Sequence, residues 1–264
     1  MSIMLLAIDI GNTTMHVGVF KGQELCAIWR LATDVHKMAD EYAVLLLGLL
    51  SQQGLKPSDI KHAVICSVTP PLMPTFRELC QHYFNVSPFL VEAGVKTGVN
   101  ILMDNPREVG ADRIANAVAG YHLYGGPLII VDLGTATTFD VVSEKGDYLG
   151  GAIAPGIKIA TEALFQRTAK LPRVDLVRPK HVIGRDTVSA MQSGIIFGYV
   201  GLIEGLVSRI RQELGGKKAR VIATGGYAEL LARETKVIEI VDPHLTLVGL
   251  RIIHELNPIH RGDR

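Results

Sequence analysis

Two short segments of this chain repeat one another: Asp9-Ile10-Gly11-Asn12-Thr13-Thr14 and Asp132-Leu133-Gly134-Thr135-Ala136-Thr137, each directly after an apolar run. The runs, Ile3 to Ile8 and Leu128 to Val131, are short, continuously apolar and partly β-branched, which is the pattern of buried strands. Each strand is therefore expected to end in the same tight turn. Glycine lets the backbone come close to a ligand, Ser/Thr hydroxyls and amides donate to phosphate oxygens, and the Asp is available to a cation. Taken singly, such a turn is an ordinary hairpin signal. One in each half predicts a duplicated domain with two phosphate-gripping hairpins facing one cleft.

A length of 264 residues is enough for two domains with separate cores. Lys plus Arg (27) nearly balances Asp plus Glu (26), and a net charge of +1 gives no electrostatic case for nucleic acid. Small-molecule chemistry is the expectation. Cys26, Cys66 and Cys80 lie in or beside apolar stretches without metal-ligand spacing, so they are expected to be reduced core thiols of a cytoplasmic protein. The chain opens directly on a strand pattern, with no export signal visible. Its longest apolar stretches, Ala43 to Leu50 and Gly194 to Val207, fall short of the roughly 18 residues that a membrane span needs.

After the first turn, Met15 to Phe20 and Leu25 to Leu31 continue as strands, with Lys21-Gly22 as the turn between them, giving a three-stranded meander. A helix over Asp40 to Gln53, a strand over Ala63 to Val68 and a helix opened by Pro70-Pro71 follow. Further strands are expected at Pro88 to Val91 and Val99 to Leu102. The second half repeats the order, with Thr138 to Ser143, a Lys145-Gly146 turn and Tyr148 to Ala154 after its first strand. A loop-rich stretch at Leu171 to Arg185 precedes a helix from Asp186 to Leu214. Strand Arg220 to Ala223, the turn Thr224-Gly225-Gly226, a helix, strand Val237 to Val241 and a helix from Pro243 complete the chain.

A meander followed by alternating helices and strands, given twice, resembles the actin-like ATPase and sugar-kinase superfamily. The resemblance implies an α/β fold of two duplicated actin-like (ribonuclease H-like) domains, each with a central mixed sheet, and a nucleotide cleft between them. The expected domains are 1–115 and 116–264. Six motifs narrow it: Asp9-Ile-Gly-Asn-Thr, Gly110-Ala111-Asp112-Arg113, Asp132-Leu-Gly-Thr-Ala-Thr, Gly150-Gly-Ala-Ile-Ala-Pro-Gly156, Thr187 to Ser193-Gly194, and Thr224-Gly225-Gly226. In this order they resemble type III pantothenate kinase. The implied activity is ATP-dependent phosphorylation of pantothenate to 4′-phosphopantothenate, the first step of coenzyme A synthesis.

Phosphoryl transfer asks mainly for positioning and charge stabilisation. The segment Asp9, Ile10, Gly11, Asn12, Thr13, Thr14, Met15 and His16, with Gly134, Thr135, Ala136, Thr137 and Gly225, is expected to bind ATP and its phosphates. Asp9 is expected to carry Mg²⁺. The resemblance adds a monovalent cation, K⁺ or NH₄⁺, at Asp132, and makes Asp112 the catalytic base within a substrate-binding set of Gly110, Ala111, Asp112, Arg113 and Thr187. A carboxylate at the start of a helical pattern also suits a cap whatever its chemistry, and the Arg113 stem could simply cover its helix.

Where much of the family has a Tyr lining the pantothenate pocket, this chain has Met103, which fills apolar volume without the hydroxyl. Gly194, Gly198, Gly201 and Gly205 follow at spacings of four, three and four, on one helix face. Each costs about 1 kcal/mol relative to Ala, so close packing must offset it, either inside the domain or across a two-fold axis. The resemblance implies a homodimer in which Thr187 reaches the partner's substrate site. The histidines show no ligand spacing, no Walker-type Gly-Lys-Ser/Thr loop occurs, and Arg261-Gly262-Asp263 is read as coincidence. A non-catalytic ATP-binding accessory protein and a sugar kinase are the competing readings. The intact Asp9, Asp112 and Asp132 weigh against the first, and the lack of a Cys-rich zinc loop against zinc-bearing forms of the second.

Overall fold

The computed structural model describes residues 4–258, so the Arg261-Gly262-Asp263 segment lies outside the described residues. The chain divides into two compact units. The first takes the residues up to Asn100, Asp104–Ala119 and the residues from Leu245, and the second takes Ile101–Met103 and Gly120–His244. The units are therefore not the contiguous stretches 1–115 and 116–264, because the final helix packs with the first half of the sequence.

In the first unit, β1 (Met4–Ile10), β2 (Thr14–Lys21) and β3 (Glu24–Ala32) form the antiparallel meander. β4 (Ile60–Ser67) lies parallel to β1, and the two-residue β5 (Phe89–Leu90) parallel to β4, giving the order β3-β2-β1-β4-β5. The two faces of β1 are both covered, which is why its sequence is apolar at every position but Asp9. Leu6, Ile8 and Ile10 pack with α1 (Ala39–Gln52) and α2 (Met73–Phe84) through Leu46 and Phe76. Leu5 and Ala7 pack on the other face with Ala115 of α3 (Ala111–Tyr124) and Leu250 of α7 (Leu245–Leu256), the last of seven α-helices among the described residues.

The second unit repeats this topology. β6 (Leu128–Leu133) pairs antiparallel with β7 (Ala136–Val142), which pairs antiparallel with β8 (Tyr148–Pro155). β9 (Arg220–Thr224) and β10 (Ile240–Val241) add in parallel on the other side, so the order is β8-β7-β6-β9-β10. With β6 standing for β1 and β9 for β4, the two orders are identical, and the duplication read from two turns extends to every strand. Ile129, Val131, Leu133 and Phe139 pack against α4 (Ile157–Gln166), α5 (Thr187–Glu213) and α6 (Ala228–Ala232), through Ile157, Ile196, Ile203 and Leu231.

Several expectations are corrected. Val99 to Leu102 makes no strand, only a single parallel bridge from Ile101 to Tyr148 at the start of β8. The strand over 237–241 shortens to Ile240–Val241, and Pro70-Pro71 open a 3-10 turn, Pro70–Leu72, before α2. Helix α4 was not expected at all. Cys66 and Cys80 are buried free thiols as read, but Cys26 is exposed, on an edge strand with one solvated face. Helix α5 is 27 residues long, and an 18-residue window with mean hydropathy 1.4 passes by length and composition for a membrane span. Its stripe of Ile195, Ile196, Ile203 and Val207 is buried in the second unit's core, the placement of a core helix.

Candidate active site

Asp9 is the second-last residue of β1, and its neighbours are set by strand register: His16 opposite it on β2 and Cys66 opposite it on β4. In-register residues project to the same face, so the three side chains form a row across the sheet. The Cys66 thiol donates to Asp9 Oδ1 at 3.2 Å, and His16 Nδ1 is 3.4 Å from Oδ2. Asp9 is 8% exposed and Cys66 1%, so the carboxylate is held at the edge of the interior with a separate partner on each oxygen. Burial, with the negative charges of Asp9 and Asp112, pushes the Cys66 thiol well above its ordinary value, which keeps the proton on sulfur.

The turn after β1 is braced through one carbonyl. Gly11 N–H donates to Thr14 O at 3.2 Å, while Gly11 O accepts from the Thr33 hydroxyl at 2.7 Å and the Thr69 hydroxyl at 3.3 Å. Thr33 follows β3 and Thr69 follows β4, so three strand ends hold the loop while Asn12 and Thr13 remain exposed at its tip. Sequence reasoning missed both threonines and Cys66, since only the register shows that they reach Asp9 and Gly11.

Asp112 is the second residue of α3: Gly110 O accepts the first helical bond from Ile114 N–H at 3.1 Å. One Asp112 oxygen accepts from Arg113 N–H at 2.8 Å, as a carboxylate in a first helical turn does. The capping role is thus real. It does not exhaust the residue, because α3 packs on the Asp9 face of the sheet and the Asp112 charge reaches Cys66. The first unit therefore brings together Asp9, His16, Cys66 and Asp112.

The second unit builds the matching turn around Asp132. Gly134 N–H donates to Ala136 O at 3.1 Å, a turn one residue tighter than that closed by Gly11 and Thr14. Gly225, at φ +90°, lies so near that a Cβ on it would fall 2.6 Å from Asp132 Oδ1. Gly156 closes on the turn from another side, where a Cβ would come 2.1 Å from Thr135 O, which gives the Gly150 to Gly156 motif a packing reason. Tyr227 N–H donates to Leu133 O at 3.3 Å, and Thr137 Oγ1 is buried without a hydrogen-bond partner among the described residues. The backbone around Asp132 is thus packed by two glycines where any side chain would intrude.

Thr187 belongs to another part of the second unit. With Leu164, Ala190, Met191, Gly194 and Tyr199 it lines an open groove of about 780 Å³ between α4 and α5. Met103 is 3.8 Å, at Cγ, from where a Cβ on Gly150 would be. Among the described residues, no group of three or more His, Cys, Asp or Glu is arranged to hold a metal ion.

Two mixed five-stranded sheets of one strand order, each with an Asp-Gly turn at the end of its first strand, define the duplicated actin-like fold. Solved structures share it at low sequence identity. A conserved Campylobacter jejuni protein described as a Baf family transcriptional activator matches at TM-score 0.62 with 21% identity, covering 96% of this chain and 98% of its own. Component A of the Acidaminococcus fermentans (R)-2-hydroxyglutaryl-CoA dehydratase matches at 0.58 with 15% identity, covering 97% and 100%. The chain belongs to the type III pantothenate kinase family, whose model matches residues 5–209. A type III pantothenate kinase of Dehalococcoides mccartyi is 56% identical over 257 residues, 97% of this chain and 99% of that one. Another, from a Geobacillus species, is 55% identical over 254 residues, 96% and 98% of the two chains.

Proposed function

We propose that this chain transfers the γ-phosphoryl group of ATP to the hydroxyl of pantothenate, giving 4′-phosphopantothenate and ADP as the first step of coenzyme A synthesis. The observation that carries the reading is the pairing of family membership across nearly the whole chain with Asp9 and Asp112 on one face of one sheet. Asp112 accepts the hydroxyl proton as the oxygen attacks phosphorus, and ADP leaves with the bonding electron pair. Arg113 anchors the substrate beside it. The turns at Gly11 to Thr14 and Gly134 to Thr137 are each assigned to phosphate binding, with Gly225 by the nucleoside.

Asp9 fits Mg²⁺: it is a single carboxylate with both oxygens oriented by neighbours, the kind of ligand this ion takes together with water and phosphate oxygens. Bound there, Mg²⁺ would neutralise phosphate charge. Asp132, backed by the glycine turn at Gly225, fits a monovalent cation, K⁺ or NH₄⁺. The active form is a cytoplasmic homodimer with Thr187 near the partner's substrate. Open space over the glycine face of α5, and a groove at Thr187 lined largely by apolar side chains, support the dimer.

The test is coupled ATP turnover with pantothenate, with N-acetylated hexosamines and with no acceptor, in buffers with K⁺ or with only a bulky organic ammonium ion. Turnover should require pantothenate and K⁺. Turnover with the hexosamines instead would make the chain a sugar kinase, and none with any acceptor would make it an accessory protein.

A further inference from the structure

We propose that Cys66 is a positioning residue for phosphoryl transfer, its thiol holding the Asp9 carboxylate in the orientation the reaction uses. The inference rests on the proposed function and adds a residue to it. Three features of the fold carry it. The parallel register of β1 and β4 sets Cys66 beside Asp9, and the antiparallel register of β1 and β2 sets His16 on the other side. Sγ is 3.2 Å from Oδ1 and His16 Nδ1 is 3.4 Å from Oδ2, so the carboxylate cannot rotate without losing both contacts. Cys66 is 1% exposed on a central strand, which leaves the thiol no water to turn to.

The chemistry suits the place. Asp9 and Asp112 are two acids in one neighbourhood, and a residue there must satisfy an acceptor without adding negative charge. A protonated thiol is small, neutral and a donor. An alanine would leave Oδ1 short of a partner, whereas serine restores a donor of similar size.

Two measurements decide it. In ligand-free protein, the S–H stretching band lost in Cys66→Ser identifies the Cys66 thiol. It should lie at lower frequency than the bands of Cys26 and Cys80, and should move up in Asp9→Asn, because an amide oxygen is a weaker acceptor. In turnover, Cys66→Ala should lower kcat roughly 10- to 100-fold, with KM for pantothenate kept within about threefold. Cys66→Ser should recover to within about threefold of wild type. A Cys66 band unmoved by Asp9→Asn overturns the proposal, as does wild-type kcat in folded Cys66→Ala. Should the alanine variant not fold, loss of activity in a folded Cys66→Ser protein would overturn it too. Wild-type turnover indifferent to pantothenate would instead strike the proposed function and leave the infrared result standing.

Discussion

A Cβ on Gly225 would lie 2.6 Å from Asp132 Oδ1 and 2.7 Å from the Leu133 backbone, in a residue whose φ is +90°. Two independent constraints thus act on one position. The left-handed backbone favours glycine, and the approach to Asp132 leaves no room for a methyl group. Gly225→Ala should cost about 1–3 kcal/mol of stability through strain alone. It should also push Asp132 and the turn after β6 out of place, weakening ATP binding by about tenfold or more. Thermal melting and calorimetric titration with ATP separate the effects. Wild-type affinity in a destabilised variant would remove this turn from the nucleotide site.

Asp112 both caps α3 and lies on the Asp9 face, and one substitution tells the roles apart. Asparagine keeps the acceptor for Arg113 N–H but cannot take up a proton at catalytic pH. Asp112→Asn should therefore lower kcat roughly 10²- to 10⁴-fold, with ATP affinity and melting temperature little changed. A variant that melts much earlier while losing only a few-fold in rate would reduce Asp112 to its cap.

The turns and the strands of each meander were legible in the sequence for a physical reason. Strands buried on both faces, such as β1 and β6, are continuously apolar, and the polar turns that interrupt them stand out. Asp9 stood out because it interrupts a buried strand, and Asp112 because it lies in the Gly110-Ala111-Asp112-Arg113 motif at the start of a helical pattern. Cys66, Thr33 and Thr69 were not, since their role comes from register between strands some 22 to 58 residues apart in sequence. Helix α4 was not read from the sequence, and the glycine that opens it, Gly156, is explained only in space, by its close approach to the turn at Thr135. The place of α7 escaped for a different reason: which sheet an amphipathic C-terminal helix covers is decided by packing, not by its own pattern.

His254 on α7 gives a pH dependence unrelated to catalysis. Its Nε2 is buried without a hydrogen-bond partner among the described residues, and its ring is 5.2 Å from that of His62 on β4 and 6.1 Å from that of Phe89. Burial, then repulsion from His62, push it from 6.5 down to about 4, against a smaller opposing pull from Glu255. A depressed histidine means that the unfolded chain takes up the proton first as pH falls. The stability it contributes is complete above about 6.5 and is lost as pH drops towards about 4. His254→Phe should flatten the fall in melting temperature across that window and leave neutral pH little affected. An unchanged slope would place the acid sensitivity elsewhere.

Gly194, Gly198, Gly201 and Gly205 are exposed on α5, and a Cβ on any of them would meet nothing within 4 Å among the described residues. Packing among the described residues therefore does not explain four glycines on one helix face, whereas the proposed homodimer would. Gly198→Leu discriminates cleanly, because the monomer has room for the side chain and should lose no stability on its account, the helix gaining up to about 1 kcal/mol from removal of a glycine. In a two-fold interface the same side chain is met by its own copy, where close helix approach leaves no space. Sedimentation should show wild-type dimers and largely monomeric Gly198→Leu at equal concentration. Turnover should fall with the dimer, since Thr187 would no longer reach the partner's substrate. A variant that stays dimeric and fully active would free this face from the interface and return the glycines to an unexplained cost.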